Sequence, residues 1–479
     1  MRHGVGELPE FFLMALLLGK ETGIQLVWNA RACSLAASLG GFALRAHNPV
    51  PLSFYAALLV IGNGAGLCYS DRLARIFPFQ PYRYSARAGP IENLVTQPYD
   101  KISAQMQARY LALSPYNLVR LILGERRPSD SESDNPYTRA AGLLENWIGS
   151  GVLIQESEPS VYAYFQRFTT PDSGQTLERK GFIGLGAVED YAAGVVHRHE
   201  QTLSGPKKDR MELLRHARAH FGQIFMLYPD PELEIDKILD ETAKRAPVTT
   251  LEDEYGVMNR VWKISDPGVI ARIQALMAAK KLLIADGHHR YETALAFHNQ
   301  NPGLKDAEKV MMTFVNMHSP GLEILATHRV LRGISAELTN KIQGRRLASL
   351  EELKQIFRIP APDKIRIGLA LGTGELSLYE RDRKPGELDV KVLHEELLGG
   401  ALGIGEEAVR DEKHIEYVRG LDAAYAKVRD GSAQIAFLLE PTTMQQVADV
   451  AFSGGVMPQK STDFYPKLLS GLTIYRLEH

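Results

Sequence analysis

Ile284-Ala285-Asp286-Gly287-His288-His289-Arg290-Tyr291-Glu292-Thr293-Ala294-Leu295 reads as a strand that enters a turn and a helix that leaves it. Asp-Gly supplies the turn, and Asp286 has the side chain of a helix N-cap. Tyr291, Ala294 and Leu295 follow the i, i+3, i+4 spacing of a face that packs inward. The N–H groups of the first helical turn have no partner inside the helix, so the junction offers an anion site. Arg290 adds charge-assisted hydrogen bonds, and His288 and His289 add two titratable rings.

Working outward, the same alternation of strands and amphipathic helices continues. Val161 to Phe165 and Phe182 to Val188 read as paired strands, and Lys281 to Ala285 as a short buried one. Further strands are expected over Lys364 to Leu371 and Ala433 to Leu439. Helices are expected over Asp209 to His220, Asp266 to Ala279, His288 to Asn299 and Val390 to Leu398. The fold class is α/β, or α+β. The polar run Arg126 to Asn135 reads as an exposed loop.

Three other stretches carry candidate chemistry. His199-Glu200-Gln201-Thr202 precedes Pro206-Lys207-Lys208-Asp209-Arg210. Pro206 suits the first position of a helix. Lys207 then stands in a first turn, where the macrodipole disfavours a cation unless an anion sits there. Lys207 and Arg210 share a face. Glu200 and His199 are a candidate base or ligand pair, without the second histidine of a zincin motif. Gly454-Gly455-Val456-Met457-Pro458-Gln459-Lys460-Ser461-Thr462 comes close to a phosphate-binding loop. Gln459 replaces the needed glycine, and Pro458 lacks an N–H, so only Lys460 is kept as a phosphate contact. Gln97-Pro98-Tyr99-Asp100 makes Asp100 either a helix cap or an active-site carboxylate. Gly184-Leu185-Gly186 lacks the third glycine and following helix of a dinucleotide site.

Composition excludes several classes. Lys plus Arg is 55 and Asp plus Glu is 57, so no basic field draws nucleic acid to the whole chain. The two cysteines, Cys33 and Cys68, leave the rest without a disulfide scaffold or a cysteine zinc site, and a cytoplasmic setting is expected. Both lie in residues 1–72, which read differently from the remainder. Pro51 to Cys68 is apolar and uncharged, but Pro51, Asn63 and its glycines weaken it as a membrane span. Leu73 is a candidate for the true first residue, and no membrane contact is expected of residues 73–479. The expected division is 1–72, 73–340 and 341–479.

From residue 73 on, the chain resembles the bacterial family known as domain of unknown function 1015. The resemblance rests on ARIFPFQPYRY (74–84), QPYDKIS (97–103), SPYNLVR (114–120), RHEQTLSGPKKDR (198–210), ADGHHRYETAL (285–295), GLEILATHRVL (321–331) and MPQKSTDFYPK (457–467). In addition, Gly287-His288-His289-Arg290-Tyr291 with Ala294 resembles the helix start of the ParB/sulfiredoxin superfamily, which binds nucleotide phosphates. Asp286 before the glycine is most similar to the serine-kinase branch, and His288 stands where sulfiredoxins carry cysteine.

The resemblance implies a ParB/sulfiredoxin-like core followed by an α/β C-terminal region. It implies a kinase of a small hydroxylated metabolite using ADP or ATP with Mg²⁺. Gly287, His288 and Arg290 would hold phosphates. Lys207 and Arg210 would neutralise the transferred group or a substrate carboxylate. His289, Glu200 or Asp100 would be the base, and Asp286 would hold Mg²⁺. Lys460, as a phosphate contact, and Arg329 are second-rank candidates. Two other readings stand beside it. One is a ParB-like nucleotide-gated regulatory or DNA-binding protein. The other is a metal-dependent hydrolase using His197, His199, Glu200 and His288.

Overall fold

The computed structural model describes residues 74–478 except 172, 201–203, 336–340, 343 and 411–412, and also residues 25–26 and 44–45. The chain divides into two compact units, Met1–Arg72 and Leu73–His479. Of the first, the described part is Gln25–Leu26 paired antiparallel with Leu44–Arg45. The cysteines, the apolar run 51–68 and the glutamine and threonine of the 199–202 motif lie outside the described residues. No helix among the described residues is long and apolar enough to cross a membrane.

The second unit is mixed α/β. Its first sheet has nine strands: β1 (Ile76–Phe77), β2 (Val161–Thr169), β3 (Thr176–Ala187), β4 (Val196–His197), β5 (Ile224–Tyr228), β6 (Thr249–Glu252), β7 (Met258–Ile264), β8 (Leu282–Asp286) and β9 (Lys309–Asn316). The order is β6-β7-β2-β3-β9-β5-β8-β4, with β1 also on β3. Only β5–β9 and β8–β4 run parallel. Both faces are covered. Phe225, Leu227, Leu283 and Ala285 enter one core, while Ile224, Met226 and Ile284 enter another. The period of two along each strand sends neighbours to opposite sides, so the strand before Gly287 reads as one continuous apolar run.

A second sheet of six antiparallel strands is built from β10 (Thr327–Leu331), β11 (Arg345–Arg346), β12 (Lys364–Leu371), β13 (Leu376–Asp382), β14 (Ile415–Arg419) and β15 (Ile435–Leu439), in the order β11-β13-β12-β15-β10-β14. The chain then returns. Asp463–Tyr465 pairs with Glu323–Leu325, and Tyr475–Arg476 pairs with Ala219–His220. This return lays residues 457–467 beside the end of β8.

The paired strands at 161 and 182 run further than expected, through Thr169 and from Thr176. Gly186 leaves the space that the Met312 thioether fills, which gives that glycine a packing role inside β3. Helix α1 spans Ser204–Ala217, not 209–220. Pro206 is therefore the third residue of the helix, still within the turn whose N–H groups lack helical partners. Arg218 takes a left-handed φ of 44°, which ends α1 before His220. Asp266 caps the helix Pro267–Ala278 by accepting from the Val269 N–H. The helix expected at 390–398 is an α-turn, Asp389–Val392, that widens into a π-helix over Leu393–Ala401. The wider winding still brings Leu393, Leu397 and Leu398 into the core of the second sheet.

Candidate functional site

Strand β8 ends at Asp286 and helix α2 begins at His288, running to Gln300. Asp286 is not the N-cap. Gly287 is, at φ 95°, with no side-chain cap bond. The Asp286 carboxylate is engaged elsewhere: Oδ2 takes Arg290 Nη2 at 2.7 Å, and Oδ1 takes Lys467 Nζ at 3.2 Å. The glycine is required on two counts. Its φ is left-handed, and a Cβ there would stand 3.0 Å from Arg290 Nε and Nη2. Gly287→Ala should therefore cost about 1–3 kcal/mol of stability. A thermal melt reads this, and an unchanged melting temperature would contradict the close packing of Arg290.

The expected inward face of α2 is present, since Tyr291, Ala294 and Phe297 are buried and Leu295 packs partly buried against the core. From its first turn an ion-pair chain runs through the site. Arg290 donates to the Gln223 carbonyl at 2.6 Å and to Asp286. Lys467 bridges Asp286 and Asp463 Oδ1 at 3.2 Å, and Arg419 Nε reaches Asp463 Oδ2 at 2.6 Å. Burial pushes the Asp286 carboxyl up, but Lys467, Arg290 and Lys101 outweigh it and hold the group well below the usual range. Burial disfavours the Lys467 ammonium, but Asp286 and Asp463 overcome that and raise it.

This chain separates two cavities. On the Lys467 side lies a cleft of about 700 Å³ between the two sheets, lined among others by Lys101, Lys460, Arg419, Asp253 and Tyr255. Its size is that of a small-molecule site. Lys101 and Lys460 make no ion pair within 4 Å among the described residues. Burial, Lys467 and Lys460 all disfavour the charged form of Lys101, which burial above all moves down. On the Arg290 side lies a cavity of about 60 Å³, lined by Arg210, Arg290, Tyr99 and Gly222. The Arg210 guanidinium stacks 4.0 Å over the Tyr99 ring and pairs with Asp209.

The residues singled out in the sequence fall around this divide. Lys207 Nζ lies 3.1 Å from Glu292 of α2, which also takes Arg198 at 3.3 Å. Lys460 lines the cleft, whereas Arg210 and Arg290 face the small cavity. His289 is half-buried, and burial moves its ring down while Asp100 and Glu292 favour its charged form. Glu200 bridges backbone-to-backbone with Met457. Burial pushes its carboxyl up to about 7, against the pull of Lys460, Lys467 and Lys101. Asp100 is exposed within the single turn Tyr99–Lys101. It does not cap the next helix, because Ser103 does, accepting from the Met106 N–H.

Three candidates change character. His288 is buried, its Nε2 has no hydrogen-bond partner among the described residues, and burial favours its neutral form, so it adds no charge to an anion site. Its ring packs edge-on against His199 at 4.8 Å. Arg329 is 1% exposed and donates to backbone carbonyls, so it does not face the cleft as an anion contact. The hydrolase set does not converge on a metal. His199 uses both nitrogens, on the Ile284 carbonyl and Thr462 Oγ1 at 2.8 Å each, and His197 turns to Gly194 and Ala451. No group of three or more metal-ligating side chains occurs among the described residues. Mg²⁺ at Asp286 would compete with two ammonium and guanidinium partners. Asp286, held by Lys467 and Arg290, does not fit as a Mg²⁺ ligand.

Four residues of the ion-pair chain and cleft went unassigned in the sequence: Lys101, Asp463, Lys467 and Arg419. Three of them lie within stretches already quoted, QPYDKIS and MPQKSTDFYPK. Periodicity reports which face a residue shares with its own element, and it does not report that residue 467 returns to residue 286.

A family model described as protein of unknown function (DUF1015) matches residues 76–423. No curated protein matches the chain. A conserved hypothetical protein from Pyrococcus furiosus is similar at 13% identity and TM-score 0.32, over 59% of this chain and 92% of that one. A free serine kinase mutant in complex with ADP is similar at 12% identity and TM-score 0.32, over 58% and 89%. SbnI with a C-terminal truncation, from Staphylococcus aureus, is similar at 14% identity and TM-score 0.33, over 61% and 87%. At such scores nothing about ligand or activity transfers.

Proposed function

We propose that this chain, which belongs to the DUF1015 family, is a nucleotide-dependent kinase that phosphorylates a small hydroxylated metabolite in the cleft between its two sheets. The observation that carries the reading is the cleft's charge pattern. Lys101 and Lys460 line it without a carboxylate in ion-pair distance among the described residues, and Glu200, whose carboxyl burial pushes up to about 7, lies within electrostatic reach of both although it is not part of the lining. Lys101 and Lys460, backed by Lys467, receive the phosphates of ADP or ATP. The open N-terminus of α2, at Gly287 to Arg290, adds its dipole, as in the ParB/sulfiredoxin-like reading of this turn.

The acceptor hydroxyl attacks the terminal phosphorus as the bond to the bridging oxygen breaks. Glu200 takes the hydroxyl proton, and the nucleotide leaves with one phosphate fewer. Phosphoryl transfer is mostly positioning and charge stabilisation, which the lysines supply and to which a Mg²⁺ arriving with the nucleotide would add. Lys207 steadies the head of α2 through Glu292. Arg290 stays on Asp286 as the fixed wall of the site.

A thermal-shift panel with ADP, ATP, CTP and GTP, with and without Mg²⁺, followed by a transfer assay on hydroxylated metabolites including serine, tests the reading. A ligand of the native state must raise the melting temperature. Each of Lys101→Ala and Lys460→Ala should weaken the responding nucleotide by about tenfold or more, as loss of a charge-assisted contact of roughly 1.5–3 kcal/mol requires. No shift with any nucleotide at millimolar concentration rules the kinase out.

A further inference from the structure

Residues 457–467 cross the site with little regular structure, yet seven of the eleven carbonyls accept a hydrogen bond from a side chain. Ser461 Oγ donates to the Pro458 carbonyl at 2.5 Å and Thr442 Oγ1 to the Ser461 carbonyl at 2.9 Å. Gln166 Nε2 donates to the Lys467 carbonyl at 3.0 Å. The remaining anchors are two arginines. Arg329 Nη2 donates to the Gln459 and Lys460 carbonyls at 3.1 and 3.2 Å. Arg179 Nη2 donates to the Pro466 carbonyl at 2.6 Å, and its Nη1 to the Tyr465 carbonyl at 3.3 Å.

Both guanidinium groups are 1% exposed. Neither has a carboxylate within ion-pair distance among the described residues, and each lies against an aromatic ring, Phe225 for Arg179 and Tyr417 for Arg329. A buried cation without a counter-ion is costly, and a fold that only needed to fill this volume would use an apolar side chain. What the guanidinium alone offers is a rigid planar fork that reaches several carbonyls at once. The segment it grips includes Lys460, a non-glycine residue at φ 55°, a conformation that persists only where its surroundings enforce it.

We propose that Arg329 and Arg179 are positioning residues, clamping the carbonyls of residues 459–466 so that Lys460 and Lys467 are held ready for a phosphate ligand in the cleft. This rests on the nucleotide-binding reading above. Arg329 sets the half of the segment that carries Lys460, and Arg179 the half that leads into Lys467. The clamps act through those lysines and touch no ligand.

A double-mutant cycle separates this from a general stabilising role. ADP with Mg²⁺ is titrated calorimetrically into the full chain, Arg329→Gln, Lys460→Ala and the double variant. The proposal expects each single change to weaken ADP by about tenfold, and the double to be no weaker than Lys460→Ala alone, the signature of residues acting as one unit. Additive losses, or unchanged affinity in Arg329→Gln, overturn it. If Arg329→Gln does not fold, Arg329→Lys keeps the charge but not the fork, and runs through the same cycle. Hydrogen exchange of the unliganded chain supplies a readout independent of any nucleotide. Amides 459–462 should exchange at least about tenfold faster in the Arg329 variant, with Asp463 to Lys467 unaffected because Arg179 still holds them. Unchanged exchange overturns the clamp whether or not ADP binds. Absence of ADP binding to the unaltered chain, with the exchange change present, overturns the kinase reading and leaves the clamp.

Discussion

Asp286→Ala is expected to be the most destabilising single change in the site, at about 3–5 kcal/mol near neutral pH. The carboxylate pairs with Arg290 on one oxygen and Lys467 on the other, and both cations have side chains at most 13% exposed. Removing it leaves Arg290 with the Gln223 carbonyl and Lys467 with Asp463. Such a cost comes less from lost attraction than from charges left buried without a counter-ion. The pH dependence has a definite sign. The folded carboxyl is held below its ordinary value, so its contribution is complete above the unfolded value, about 4, and fades as the pH falls toward the depressed folded one. Urea unfolding at pH 7 and at pH 3 should show a gap between the wild type and the variant that narrows at the lower pH. A gap under about 1 kcal/mol at pH 7 would place Asp286 among ordinary surface carboxylates and remove the ion-pair chain as the spine of the site.

Why the chain's strands and helices were readable while its charge network was not follows from particular residues. Lys364–Leu371 and the strand before Gly287 lie in sheets covered on both faces, so local apolarity carries their identity. The ends of elements depended on single backbone events. Arg218 turning left-handed closes α1, and Gly287 rather than Asp286 caps α2. Asp286 has a good cap side chain, and local propensity favours that use. It lost to a stronger demand, because two cations from residues 290 and 467 converge on the same carboxylate. The same limit applies to Arg329. A basic residue in a stretch resembling a known family suggests an anion contact, yet here the charge is spent on the Gln459 and Lys460 carbonyls. Spacing along the chain cannot tell an arginine that meets a ligand from one that holds the loop which meets it.

Glu200→Gln should make the protein more stable and less active at once. Burial moves the Glu200 carboxyl from its ordinary value up to about 7, so ionising it in the folded state costs roughly 3 kcal/mol at 1.36 kcal/mol per pH unit. That penalty is absent below about pH 4, grows as the pH rises toward 7, and is complete above it. The amide is never charged, so the variant's advantage in denaturant midpoint should follow the same curve and be largest near pH 8. The transfer rate of the wild type should rise with pH through a midpoint near 7, since only the carboxylate accepts the acceptor's proton. In Glu200→Gln the rate should fall by about 10²–10⁴ at its plateau and lose that midpoint, while nucleotide affinity changes little. A carboxyl kept at a structural cost, and whose removal abolishes turnover but not binding, is what a general base requires. If instead the variant is less stable at pH 8, the carboxylate is being held by Lys460 and Lys467 as an ordinary ion pair. The base must then be sought at His289 or Asp100, the other two candidates for that role.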